Sequence, residues 1–246
     1  MTGTPSSDSA GQEWHGRNLA STGFDDDTGG SDAQLIQALR GEDEVALMRA
    51  IAQARLLVPV VAAPGEVDTS GELAVEKSTD MAVVTLTAPD GQRALPVFTG
   101  VDALATWDPA ARPSPVTSAR AAQAAVSERC DVMVVDLGSQ QQTALRPSMV
   151  WALAQQRDWV PSHADPFVQQ AVSRAVSDEA DIVGAVCADG RDAGAGVLRV
   201  VLTVRPGLDA AQLQDVATRV GERIATDGEV RARIDGLAFA VQQAQH

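Results

Sequence analysis

Apolar positions first recur at helical spacing at Leu35, Ile36 and Leu39, and then at Val45, Leu47, Met48, Ile51 and Ala52. The pattern predicts two helices. Ser31, with Gln34 three residues on, has the form of a reciprocal cap for the first, and Gly41 closes it. The second begins at about Glu44. Strand patterns follow at 56–62, 81–87 and 93–99, the last two flanking Pro89-Asp90-Gly91, a sequence suited to a tight hairpin. A short helix is expected from Val101 to Trp107, a proline-rich loop from Pro109 to Pro115, and a helix from Thr117 to Ser127. The run Val132 to Leu137, apolar but for Asp136, reads as a central strand, and Pro147 as the first residue of a helix.

Beyond residue 161 the pattern restarts. Pro161 to Pro166 reads as a linker at 162–166. A smaller unit then takes shape: a helix at 167–176, strands at 181–188 and 196–205, a helix at 210–227 and a strand at 232–241. Asp209 with Gln212 caps the long helix, Leu213, Val216, Ala217, Val220 and Ile224 form its stripe, and Gly228 stops it. Ile234 falls out of phase with Leu237, Phe239 and Val241, which places a bulge at Gly236. The fold class is therefore α+β: a mixed-sheet domain over 31–161, then a β-β-α-β unit with a preceding helix over 167–246. Residues 1–30, rich in Gly, Ser, Thr and Asp, read as a disordered tail.

Composition narrows the function classes. A net charge of -14 opposes sequence-independent nucleic-acid binding, which draws on clustered cations, and opposes anionic membrane surfaces as well. No apolar run is long enough to span a bilayer, and no secretory leader is recognised, so a cytoplasmic location is expected. Arginine replaces lysine at all basic positions but Lys77, the usage of GC-rich coding. With 3% aromatic residues and no tyrosine, the core must be aliphatic. Cys130 and Cys187 read as buried reduced thiols.

Candidate chemistry is sparse. Asp25, Asp26 and Asp27 lack the ligand spacing of a calcium loop. Ser162, His163 and Asp165 are the residue types of a triad, but neighbours in a linker do not converge. Gly190, Gly194 and Gly196 lack nucleotide-loop spacing and connect two strands. Asp136, at the end of an apolar strand, is expected to bond backbone N–H groups in the turn. No metal-ligand spacing is present, and no cofactor is expected.

The segment Ala94 to Trp107 stands apart: a strand ending at Phe98, a turn at Thr99-Gly100, and a short helix closing on Trp107. It resembles the signature of the SseB family. The paired helices before Val58-Pro59-Val60, the Thr117 helix and the Val132 strand are similar to that family's N-terminal domain, covering about 32–160. Residues 165–246 look like its C-terminal domain. The resemblance implies a bacterial protein and brings no agreed activity, cofactor or catalytic residue. The sequence departs from the family where Leu137-Gly138-Ser139 stands in place of an Asn-Pro-Gly-like turn. Function is read as a non-enzymatic interaction or regulatory module with a protein partner, its contact surface drawn from Phe98, Thr99, Asp102 and Trp107. The alternatives are an amino-acid-related metabolite sensor or enzyme with a pocket at this corner, or a corner that is core packing only.

Overall fold

A computed structural model describes Phe24, residues 26–62 and residues 81–244. Most of the expected tail, residues 1–23, lies outside the described residues. Helices α1 (Ala33–Leu39) and α2 (Glu44–Gln53) form as the periodicity requires. Their caps are Asp32 and Asp43, each accepting from two backbone N–H groups of the first turn. Asp32 thus takes the place expected of Ser31, because the carboxylate binds the Gln34 and Leu35 N–H groups at 2.7 and 2.9 Å.

Strand β1 (Arg55–Ala62) is central in a three-stranded sheet, between β2 (Met81–Val83) and β5 (Arg112–Thr117). A second sheet has the order β3 (Leu86–Thr87), β4 (Arg93–Val97), β6 (Val132–Val135), β7 (Thr143–Leu145). Only β4 and β6 run parallel, so the sheet is mixed as expected. The crossover between them carries α3 (Val101–Trp107), β5 and α4 (Ser118–Ser127). Among the described residues the two sheets meet at one bridge, where Leu57 and Phe98 exchange N–H to C=O hydrogen bonds of 2.8 and 2.9 Å.

Two local expectations change. The single strand expected over 81–87 divides between the sheets: the Val84 N–H bonds to the Pro59 carbonyl, and the chain then crosses to β4. The expected proline-rich loop is strand β5. Its prolines are tolerated because Leu57 and Pro59 turn their backbone groups to Phe98 and Val84, so the facing Pro115 and Pro113 occupy positions where no N–H is asked for. On an edge strand those two missing donors point outward.

Helix α5 (Pro147–Ala154) completes a core of Leu35, Ile51, Leu56, Leu95, Met133, Leu145 and Met149 beneath α1, α2 and α4. A separate core holds α6 (Pro166–Val176), β8 (Ile182–Asp189), β9 (Val197–Val204) and α7 (Ala210–Thr226), with α8 (Gly228–Arg231) and β10 (Gly236–Gln243). Here β8 and β9 are antiparallel, and α7 carries the chain over to β10, parallel to β9. The reciprocal Asp209–Gln212 cap on α7 is present. Gly228 does not end that helix; Asp227 does, and it caps α8 at the same time. The bulge expected at Gly236 is absent, because β10 starts there and Ile234 precedes the strand; the irregularity falls in β8, between Ile182 and Gly184.

Glu179, 8% exposed, receives Arg219 at 2.7 Å and Arg223 at 2.9 Å, tying α7 to the loop before β8. The Arg219 hydrogen bond is the main cause of its depressed pKa, with burial opposing. A folded-state pKa below the unfolded value adds stability above about 4.5, and that stability is lost as pH falls through the folded value. Glu179→Gln should accordingly be less stable than the wild type at neutral pH, the gap closing on acidification below pH 4.5. Urea unfolding at neutral and acid pH measures it; a gap that stays constant assigns Glu179 no linkage.

Candidate functional site

At the end of β4 the chain turns sharply, and the geometry there follows from three residues. Phe98 is fully buried, packed with Leu57 and Leu104, and its ring stacks on Trp107 at 5.3 Å between centroids and 30° between planes. Thr99, 2% exposed, gives its backbone N–H and its hydroxyl to the two carboxylate oxygens of Asp136, each at 2.8 Å. Its hydroxyl proton being so used, Thr99 accepts from the Ser31 hydroxyl at 3.0 Å. Gly100 follows because a Cβ would fall 2.5 Å from Ser31 Oγ and 3.0 Å from the Gly29 carbonyl.

Segment 27–31, which composition places at the end of the tail and spacing places at the first helix cap, lies over this turn. The Gly29 carbonyl accepts the Val101 N–H at 2.9 Å, and Arg55 grips the Gly30 carbonyl at 2.7 Å and the Asp27 carboxylate at 2.6 Å. No local pattern could have found this, since Ser31 and Thr99 are 68 residues apart. Of the four expected contact residues, the structure puts Phe98 and Thr99 inside, Trp107 half-buried, and Asp102 exposed in the first turn of α3. Asp136, held at φ +50°, bonds a backbone N–H as expected, but that of Thr99 at the end of β4 and not one in the turn after its own strand.

A second feature is a cleft of about 380 Å³ where the two cores meet. Arg146 precedes α5 and has no side-chain cap to offer it. Asp235, from the loop before β10, supplies one: it accepts the Ser148 N–H and the Ser148 hydroxyl, both at 2.8 Å, and Arg146 Nε at 3.0 Å. Arg146 also holds both Glu44 oxygens and lies over the Trp159 ring, whose Nε1–H reaches Ser148 Oγ at 3.1 Å. Burial opposes the Arg146 charge, but hydrogen bonds to Glu44 and Asp235 outweigh it and raise its pKa. Gly196, at φ +75°, leaves the space this ion pair fills.

The family model for the SseB protein N-terminal domain matches residues 32–152. The chain carries an SseB N-terminal domain. The match takes in both helices, the mixed sheet and the whole Phe98–Trp107 corner, and it ends within α5, just past the residues that Asp235 caps. The likeness of residues 165–246 to the family's C-terminal domain rests on the sequence resemblance alone. No curated protein and no solved structure gives a significant match.

Of the triad-like residues, the Asp165 carboxylate is engaged elsewhere. Residues 162–164 form a 3-10 turn, Ser162 is buried, and the Asp165 carboxylate caps α6 at Phe167 and receives Arg233 at 2.8 Å. Cys130 is buried and Cys187 half-buried, and burial raises both thiol pKa values, which leaves them protonated at neutral pH. Among the described residues no group of three or more His, Cys, Asp or Glu is arranged to hold a metal, and no helix is long and apolar enough to cross a membrane. Every buried side-chain nitrogen and oxygen among them has a hydrogen-bond partner.

Proposed function

We propose that the chain is a non-enzymatic cytoplasmic interaction or regulatory module, and that its contact surface lies on the α3 side of the Phe98–Trp107 corner. The observation that carries this is how the corner divides its residues. Phe98 and Thr99 are spent on packing and on Asp136, whereas Trp107 and Asp102 reach the surface on one short helix beside Val101, 40% exposed. A tryptophan backed by a buried ring is held in place before a partner arrives, which suits an anchor of the hot-spot kind. The competing view, a metabolite sensor or enzyme, calls for polar groups converging on a closed pocket at this corner. Thr99 and Asp136, the polar groups buried there, satisfy each other instead.

A photo-reactive residue in place of Asp102 tests the reading in cells. One defined protein adduct is expected there, and none from the same residue placed at Asp90, in the exposed β3–β4 turn. Equal adducts from both positions, or none from Asp102, would contradict it.

A further inference from the structure

The sheet β10-β9-β8 has a free edge at β8, and its backbone parity can be read from one bond. The Gly190 N–H donates to the Val197 carbonyl at 3.0 Å, so Gly190, Ala188, Val186 and Gly184 face β9, while Ala185 and Cys187 turn their N–H and C=O groups outward. Those outward groups take no backbone partner outside the sheet among the described residues. Val183 and Val186 on this strand are 53% and 60% exposed, the highest values among the exposed large apolar side chains.

The same molecule blocks another edge. Strand β5 turns Pro113 and Pro115 outward, which removes the donors a neighbouring strand would need. Strand β8 has no proline, no bulge in its second half, and one charge, Asp189, which Arg191 neutralises at 2.6 Å.

We propose that β8 pairs antiparallel with the β8 of a second copy, about a two-fold axis at Val186, joining two three-stranded sheets into one of six strands. This register sets Ala185 opposite the partner copy's Cys187 position and gives four backbone hydrogen bonds across the axis. Charge does not oppose it: the one carboxylate of the strand, Asp189, already holds Arg191 at 2.6 Å, so no unpaired charge of the strand meets its copy. Like-with-like pairing also closes on itself, whereas β8 on β10 would run on as a filament. An eight-residue edge buries less than the roughly 1,600 Å² of a standard interface, so the association depends on concentration.

Sedimentation equilibrium of the full chain over rising concentration is the test. The expected result is a reversible shift from 25.6 kDa towards twice that mass. It should vanish in Val186→Asp, which sets like charges face to face at an exposed position, and in Ala185→Pro, which removes an outward donor and no hydrogen bond within the sheet. Val186→Cys should form an intermolecular disulfide on mild oxidation under which the wild type stays uncrosslinked. A wild type that remains monomeric throughout, a dimer that survives Val186→Asp, or growth into filaments would each overturn the proposal. Circular dichroism of each variant separates lost pairing from lost folding.

Discussion

Phe98→Ala should lower the unfolding free energy by about 3 to 5 kcal/mol, the cost of the lost transfer energy and of the cavity left among Leu57, Leu104 and Trp107. The effect is large because Phe98 is fully buried and because its backbone bridges the two sheets, leaving little room for the site to collapse. Trp107→Ala removes a larger side chain yet should cost less than half as much. Its ring is already partly in water, and what remains of the corner still packs Phe98 on Leu57. Urea unfolding of both proteins decides the matter. Equal losses would make Trp107 core and remove the surface on which the functional reading depends.

Asp235→Ala should be nearly as damaging, about 3 kcal/mol, through a different mechanism. The change strips α5 of its only side-chain cap and leaves Arg146, 17% exposed at the side chain, short of one of its two carboxylates. It also frees the Ser148 hydroxyl that orients Trp159. Since the cap is supplied by the smaller core to a helix of the SseB N-terminal domain, the two cores should melt together in the wild type and separately in the variant. Calorimetry that shows one transition for both, with an unchanged midpoint, would mean that the cleft contributes nothing to their coupling.

Much of the fold was legible because local chemistry specified it. The stripes of α2 and α7, the Asp209–Gln212 cap, the Pro89-Asp90-Gly91 hairpin and the helix ending at Trp107 all formed where their residues pointed. What failed depended on contacts distant in sequence. Pro113 and Pro115 read as loop because nothing near them says that Leu57 and Pro59 turn their backbones away. The Asp27–Gly30 segment read as tail because its partners, Arg55 and Val101, are 25 or more residues off. The corner itself was legible through its strand-turn-helix pattern and its aromatics. The carboxylate that completes it, Asp136, was visible only as a strand-end acid. The cleft around Arg146 and Asp235 was not legible at all, for 89 residues separate the pair.

The central claim, that the α3 side of the corner contacts a partner, meets its most direct test in the yield of the Asp102 photo-adduct when Trp107→Ala is added to the same chain. The account predicts that the adduct is lost while the protein stays folded by circular dichroism. An adduct of undiminished yield from a folded Trp107→Ala protein would contradict it.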